Sequence, residues 1–290
     1  MKYLLRLSCW IILIVLSLAQ PGKAVILFGS GDPAYNTTPP TGALTNSGWQ
    51  YEGQWGCFLG TPIAPQYFLA AHHIGGGMGQ PFLFKNVSYT TTAYWDDPAS
   101  DLRLWQISGT FPSYAPLYTT NLETGSPLVV FGRGTQRSSA VMVNGALAGW
   151  QDGVSDGIMR WGQNKVLTAY WSELIVAFTG TQGPNEAYLS PGDSSGAIFI
   201  QDKGTWKLAG INYAIDGPFA ITPNGTPFDG AIFNENGLYV NNTLVSDAQP
   251  AYFYGTRVST EIPWILSITG TIPTPTAAPL APPTQLTIQR

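Results

Sequence analysis

The chain has 290 residues, only 10% of them charged, and its formal net charge is −4 at pH 7. It has no block of basic residues, which excludes the usual electrostatic surface for nucleic acid or for an anionic membrane. Its two cysteines, Cys9 and Cys57, and two histidines, His72 and His73, are too few for a structural zinc site. We therefore expect a protein that works without a metal or another cofactor.

The first 24 residues have the pattern of a secretory signal peptide. Lys2 and Arg6 supply a positive start, residues 9–19 are apolar, and Ala24 is a small residue at the cleavage position. The apolar stretch is shorter than a membrane span, and a retained N-terminal anchor is the alternative. We expect cleavage after Ala24, a mature chain that starts at Val25 without membrane attachment, and a secreted or periplasmic location.

Short apolar runs separated by turn residues predict an all-β protein. The chain contains 33 Gly, 23 Pro and 13% aromatic residues. Many short strands with this punctuation favour a sandwich or a pair of barrels over a βαβ fold. In chain order, the clearest predicted strands are residues 127–132, 140–144, 173–178, 197–200 and 206–211. The last two predict a hairpin, with Asp202-Lys-Gly204 as its turn.

The predicted elements end with one helix and a tail. Residues 258–268 predict a short C-terminal helix, with Ser259 or Thr260 as its N-cap and Pro263 in its first turn. Residues 269–290 are rich in Pro and Thr, which predicts an extended or disordered tail.

The pentapeptide Gly192-Asp-Ser-Ser-Gly196 is the first candidate for chemistry. A plain glycine-flanked turn is the structural alternative, because the Gly-x-Ser-x-Gly pattern is weak in a chain with 33 glycines. A serine nucleophile needs a positioned base. The α/β-hydrolases order their triad Ser, acid, His, but no histidine follows Ser194. That family is excluded, and an imidazole base has to be His72 or His73.

An acidic partner for the imidazole is also present. Asp101 begins the alternating apolar run 101–107, where a half-buried carboxylate can accept the imidazole N–H, hold its tautomer and stabilise the imidazolium. Asp96 and Asp97 lie nearby, but a turn proline follows them, and we expect both to be solvated.

Taken in this order, the motifs resemble those of chymotrypsin/trypsin-type serine proteases. Residues 58–74 are similar to the strand and Thr-Ala-Ala-His-Cys box of that family, and the register from Ile63 places the family's histidine on His73. Asp101-Leu-Arg-Leu resembles the Asp-Ile-Ala-Leu box, and Gly192-Asp-Ser-Ser-Gly resembles Gly-Asp-Ser-Gly-Gly. Further similarities lie in residues 131–134, 208–211 and 257–265, so that the resemblance spans about residues 45–268.

The resemblance implies an all-β fold of two Greek-key antiparallel β-barrels with a short C-terminal helix, in a bacterial-type, disulfide-free form. It implies an exported serine endopeptidase that acts on protein or peptide substrates, and we expect a monomer. The expected segments are an N-terminal extension (25–44), a first barrel with the His and Asp (45–127), a second barrel with the Ser (128–257) and an insertion at about 216–250.

The resemblance also implies a role for each site residue. Ser194 would be the nucleophile, His73 the general base and Asp101 its orienting acid. The backbone N–H groups of Gly192 and Ser194 would form the oxyanion hole. Asp193 would shape that loop, and His72 remains the alternative base.

The implied substrate pocket has Tyr188 at its base, six residues before the nucleophile, and Asn212, Tyr213 and Ala214 on the cleft strand. No acid stands at that base, so cleavage after Lys or Arg is not expected; a tyrosine there favours a small substrate side chain or none. The insertion, with a predicted hairpin over 231–240, would cover the cleft on the pocket side.

Two departures from the family pattern affect the expected activity. Ser195 stands where the family usually has a second glycine, beside the nucleophile. The expected mature terminus, Val25-Ile-Leu-Phe, lacks the glycines of the zymogen branch, so we expect activity without a terminal switch and an internal partner for Asp193. The competing functions are an inactive double barrel kept as a binding module, and a β-sandwich adhesin or carbohydrate-binding domain, in which His73 and Ser194 would lie far apart.

Overall fold

The computed structural model describes residues 24–271, which contain two closed six-stranded antiparallel β-barrels and one short C-terminal helix. The expected fold class is therefore confirmed. Residues 1–23 of the expected signal peptide and residues 272–290 of the expected tail lie outside the described residues.

The first barrel is built from consecutive short strands. The N-terminal half of the chain contains β1 (Ile26–Leu27), β2 (Gly53–Trp55), β3 (Phe58–Ala64), β4 (Tyr67–Ala71), β5 (Pro81–Phe84), β6 (Val87–Asp96) and β7 (Leu102–Ile107). The barrel closes in the order β2-β3-β4-β7-β6-β5. Alternation along the strands turns large aromatic side chains inward, among them Phe68 and Phe82, whose stacked rings lie 4.0 Å apart.

The second barrel uses six of the remaining strands. The remaining strands are β8 (Pro127–Gly132), β9 (Thr135–Val143), β10 (Ala146–Ser155), β11 (Arg160–Tyr170), β12 (Glu173–Ala177), β13 (Ala187–Tyr188), β14 (Ala197–Asp202), β15 (Thr205–Ile215), β16 (Phe219–Ala220), β17 (Gly230–Ile232), β18 (Tyr239–Val240), β19 (Thr243–Leu244) and β20 (Tyr252–Arg257). The barrel order is β11-β12-β20-β15-β14-β8, and β9, β10 and β17 form a three-stranded sheet beside it.

The predicted hairpin of β14 and β15 is confirmed, with Lys203 and Gly204 in the left-handed conformation at its turn. The hairpin predicted over 231–240 is wrong. Its first half lies in β17, which pairs with β10, whereas β18 pairs with β16 and β19. Both segments have strand-like sequences, but such a pattern does not identify the partner strand.

The start of the described chain packs into the hydrophobic core around the second barrel. Residues 24–27 are buried, and β1 pairs with β13, with Ile26 opposite Tyr188. The ring of Phe28 then packs edge-on against Trp150, at 5.5 Å between centroids, and against Phe178. Burial of this segment makes it a component of the core.

The C-terminal helix α1 (Val258–Thr269) follows β20 directly. Its N-cap residue is Arg257, without a side-chain capping bond, and Pro263 lies in the second turn. The expected cap and proline position are therefore wrong, because the helix begins where the strand ends. Within the described part of the chain, no helix is long and apolar enough to cross a membrane.

The helix seals the region where the barrels meet. Val258 and Ile265 are buried in one cluster with Leu69 and Leu104 of the first barrel and Phe199 of the second. Because this apolar cluster holds the two barrels together, it also fixes the relative positions of the side chains that each barrel contributes to their junction.

Candidate active site

Three side chains form a continuous hydrogen-bonded chain at the junction of the barrels. His73 Nδ1 lies 2.5 Å from Asp101 Oδ2, and His73 Nε2 lies 2.9 Å from Ser194 Oγ. The Asp101 side chain is only 12% exposed, and its other oxygen accepts the His73 backbone N–H at 2.9 Å. The geometry matches a hydroxyl, a base and a carboxylate that orients the base.

Strand pairing brings the imidazole and the carboxylate together. In the pairing of β4 with β7, Ala71 lies opposite Leu102, and the His72 backbone N–H extends this ladder to the Asp101 carbonyl at 2.8 Å. The chain then turns through a short 3-10 helix, His72–Ile74, which directs the His73 ring to the Asp101 carboxylate. Ser194 approaches from the second barrel, on the loop between β13 and β14.

The neighbouring histidine has a different environment. His72 Nε2 lies 3.6 Å from Asp96 Oδ2. Two hydrogen bonds from Arg103 hold Asp96, and these bonds together with the positive charge of Arg103 lower the pKa of the Asp96 carboxyl. His72 has no hydrogen bond to Ser194, so only His73 joins the serine and an acid.

Asp97 is not solvated, contrary to expectation. It is buried, and its carboxylate accepts bonds from the Ala99 N–H at 3.1 Å and the Ser100 hydroxyl at 2.5 Å. It also contacts the Glu261 side chain of α1; burial, followed by the Asp97 contact, raises the pKa of Glu261. Packing of the helix against this loop therefore excludes the water that the turn proline suggested.

The glycines of the serine loop are required by close packing. A Cβ on Gly196 would lie 2.0 Å from the Phe131 carbonyl oxygen, so only glycine permits this approach to β8. Gly192 has φ +97°, a conformation that other residues rarely adopt. Within residues 24–271, the N–H groups of Gly192 and Ser194 donate to no protein acceptor, whereas Asp193 N–H donates to the Ser190 carbonyl. The loop therefore carries two free backbone donors beside the Ser194 hydroxyl.

Asp193 fixes this loop from beneath. Its buried carboxylate accepts the Gly134 N–H at 2.7 Å and both the N–H and the hydroxyl of Ser190 at 2.8 Å. Burial raises the pKa of Asp193 to about 6, although these bonds and one from the Val25 backbone N–H act in the opposite direction. Gly134 and Ser190 are thus internal partners of the kind expected, and Val25 adds one from the N-terminal segment.

Ser195 does not crowd the nucleophile. It is fully buried with φ +68°, and its Oγ accepts the Ala71 backbone N–H at 3.0 Å. The hydroxyl therefore points across the junction to the end of β4, directly before His72. This bond connects the serine loop to the strand that carries the histidine, a role that no local sequence signal indicates.

A cavity of about 170 Å³ opens beside Ser194, between residues 189–191 and 212–215, with Asp229 also in its wall. Asn212, Tyr213 and Ala214 line it, where the sequence placed the cleft strand. The Tyr213 ring also lies edge-on to His73, at 6.1 Å between ring centroids. A side chain in this cavity would be adjacent to the Ser194 hydroxyl.

Tyr188 lies elsewhere, which corrects the expected pocket base. Its side chain is fully buried in the second barrel, packed against Phe178 and Phe253, and its hydroxyl donates to the Tyr252 carbonyl at 2.9 Å. The pairing of β13 with β1 orients Tyr188 into the core, and that pairing partner was not foreseen from the sequence. The cavity therefore keeps space that a tyrosine would have filled.

Sequence reasoning missed Asp229. It lies 35 positions after Ser194, in a segment without a recognisable motif, and reaches the cavity because β17 pairs with β10. The Asn212 side chain is also held in place: its amide donates to the Phe131 and Asp193 carbonyls, and its Oδ1 is buried without a partner.

In residues 24–271, no three His, Cys, Asp or Glu side chains come together as metal ligands do.

Comparisons with known proteins give a match in fold only. No family model and no curated protein sequence matches the chain. Among solved structures it is similar to neuropsin, described as a serine protease expressed in the limbic system of mouse brain, with a TM-score of 0.50 and 11% sequence identity. The match covers 77% of this chain and 96% of the neuropsin chain. At this identity the similarity shows the chymotrypsin-like double-barrel fold and nothing about activity.

Proposed function

We propose that the chain is an exported serine endopeptidase that hydrolyses peptide bonds through an acyl-enzyme. The observation that carries this proposal is the hydrogen-bonded chain from Asp101 through His73 to Ser194, with contacts of 2.5 and 2.9 Å. It joins two barrels whose sequences lie far apart. A carboxylate, an imidazole and a hydroxyl in this order are the groups that activate serine for acyl transfer.

In the proposed mechanism, Ser194 Oγ attacks the scissile carbonyl carbon while His73 Nε2 takes the hydroxyl proton. His73 then gives this proton to the leaving amine as the C–N bond breaks, which leaves an acyl ester on Ser194. Water, deprotonated by His73, attacks the ester carbon; His73 then returns the proton to Ser194 Oγ as the ester C–O bond breaks and the carboxylic acid leaves. Asp101 accepts the Nδ1–H throughout and stabilises the imidazolium.

The free N–H groups of Gly192 and Ser194 would bind the oxygen that becomes negative in each tetrahedral intermediate. One such donor contributes about 3 kcal/mol in comparable sites. Asp193 supports this arrangement, because its bonds to Gly134 and Ser190 hold the loop in place.

The expected binding partners are proteins or peptides, one side chain of which would enter the cavity beside Ser194. Both barrels of one chain contribute to the site, which is consistent with a monomer as the active unit. Export with cleavage after Ala24 would leave Val25 as the first residue, close to Asp193, and place the protein outside the cell or in the periplasm.

An inactive binding module is the rival reading, suggested by Ser195, Tyr188 and the insertion at 216–250. The insertion borders the cavity through Asp229, whereas the other two lie outside the cleft. Ser195 bonds to Ala71, and Tyr188 is packed in the barrel core. The β-sandwich adhesin predicted that His73 and Ser194 lie far apart, whereas the contact between them is 2.9 Å.

The test is reaction of the full chain with a fluorophosphonate probe, followed by mass analysis of the labelled peptide. We expect labelling of Ser194, its loss in Ser194→Ala and His73→Ala, and its retention in the matched control His72→Ala. A folded protein that never reacts would support the binding module instead.

A further inference from the structure

Asp229 brings an acidic group to a cavity whose other walls are mostly apolar. The residue precedes β17, and the Asp152 backbone N–H donates to its carbonyl oxygen at 2.9 Å, which anchors it to β10. Leu189, Pro191 and Ile215 contribute apolar surface to the same cavity, and Ser194 lies at its edge.

The Asp229 carboxylate has no counter-ion in the described structure. Among residues 24–271, no hydrogen bond or ion pair reaches its side-chain oxygens, and no Lys or Arg lines the cavity. A carboxylate at the wall of a partly enclosed cavity favours a cation, because burying it unpaired is costly.

An acid close to Asp229, Asp152, is uncharged at neutral pH, so it neither competes with Asp229 for a cation nor adds to its charge. The neighbouring Asp152 has both carboxyl oxygens buried without a partner; burial, then the charges of Asp229 and Asp193, raise its pKa to about 8. Asn212 donates its amide N–H groups to the Phe131 and Asp193 carbonyls, so it offers no side-chain donor to the Asp229 carboxylate.

The size of the cavity suits one substrate side chain. At about 170 Å³ it is comparable with a cavity of about 150 Å³ that binds benzene in another protein. The aliphatic stem of a long basic side chain can contact the apolar walls while its charged end reaches the acid.

We propose that this cavity binds a cationic substrate side chain, that of lysine or arginine, with Asp229 as its counter-ion. The proposal rests on the proposed peptidase function and names its substrate class. It reverses the expectation drawn from the sequence, in which the absence of an acid at position 188 argued against cleavage after Lys or Arg. The acid is supplied by the insertion instead.

A neutral side chain in the same cavity would displace water from Asp229 without replacing its hydrogen bonds. A site built around a polar group rejects an analogue that lacks the matching group, because the site's own group is left unpaired. Selectivity therefore arises from the penalty on neutral side chains as well as from attraction of the cation.

The kinetic test compares two peptides that differ only in arginine or its neutral isostere citrulline before the scissile bond, and a second pair with lysine or acetyl-lysine. We expect kcat/KM to be about tenfold to a hundredfold higher for each cationic peptide. Asp229→Asn should remove most of this ratio, whereas Asp247→Asn, which removes an exposed carboxylate from the same insertion, should keep it. Equal rates for arginine and citrulline in the unmodified chain would overturn the proposal.

A binding measurement separates this proposal from the peptidase function. n-Butylguanidinium and its neutral counterpart n-butylurea are titrated into the Ser194→Ala variant by calorimetry, where no catalysis is needed. Preference for the guanidinium, lost in the Asp229→Asn, Ser194→Ala double variant, supports the proposal. A protein that reacts with the fluorophosphonate but binds both compounds equally retains the proposed function and loses this inference. A protein that does not react with the fluorophosphonate but prefers the guanidinium has the cation-binding cavity and lacks the proposed peptidase function.

Discussion

The Ser195 hydroxyl accepts the Ala71 backbone N–H at 3.0 Å, and this bond joins the serine loop of the second barrel to the end of β4 in the first. Ala71 precedes the two histidines, and Ser195 follows the proposed nucleophile. The contact thus helps to set the distance between His73 and Ser194, although neither Ala71 nor Ser195 takes part in the proposed chemistry.

Ser195→Ala is expected to destabilise the protein by about 1–3 kcal/mol, because the Ala71 N–H is left buried without an acceptor. Ser195→Gly should cost about 1 kcal/mol less, since glycine adopts the positive φ of this position without strain. Urea unfolding measures both changes. Ser267→Ala is the control, because it removes an exposed hydroxyl that bonds to a helix carbonyl. Equal stability of Ser195→Ala and the unmodified protein would contradict the bridging role.

Asp101→Asn is expected to lower kcat by about 10⁴-fold, because an amide cannot hold the required tautomer of His73 or stabilise its protonated form. His73→Ala should lose at least as much activity. His72→Ala should keep activity within a few-fold, since His72 contacts Asp96 rather than Ser194. Steady-state kinetics on one peptide substrate measures all three variants. Loss of activity in His72→Ala with retention in His73→Ala would reverse the assignment.

Asp152→Asn is expected to stabilise the protein at alkaline pH. The pKa of Asp152 is raised from 3.8 to about 8, so between these values the folded state binds a proton that the unfolded state has lost. Stability therefore falls as pH rises through this window, and the neutral amide removes that slope. We expect the variant to gain about 5 kcal/mol at pH 9 relative to pH 4, because each unit of pKa shift corresponds to about 1.4 kcal/mol; urea unfolding at a series of pH values measures this gain. Asp247→Asn, which removes an exposed carboxylate, should keep the slope of the unmodified protein. An unchanged slope in Asp152→Asn would show that Asp152 is not its source.

The protein is expected to be active without a free amine at Val25. Asp193 already accepts three hydrogen bonds from Gly134 and Ser190, and Val25 donates its N–H in peptide form. A chain that starts at Val25 and one extended by two residues should therefore react with the fluorophosphonate at rates within about tenfold of each other, a difference of about 1.4 kcal/mol. Labelling restricted to the chain with a free Val25 amine would show that the terminus is a switch.

Much of the fold was accessible from the sequence because its signals are local. Short apolar runs between turn residues indicated an all-β sandwich or pair of barrels, and the family resemblance selected the barrels. Asp202-Lys-Gly204 marked a hairpin that the structure contains. The hairpin predicted over 231–240 failed because strand-like alternation reports that a segment is half-buried and not which strand it pairs with. The predicted helix range 258–268 agrees with α1, but its N-cap was misplaced, since the helix follows β20 directly and Arg257 caps it without a side-chain bond.

For the candidate site, the sequence by itself determined the order of His73, Asp101 and Ser194 and the glycines around the serine. The chemistry of an activated hydroxyl limited the base to His72 or His73, and the family resemblance selected His73. Only the tertiary structure decided that Tyr188 faces the barrel core, that Ser195 bridges the barrels and that Asp229 reaches the cavity. Each of these three depends on pairing or packing with a segment distant in sequence, and the free energy of such contacts has no local signature in the chain.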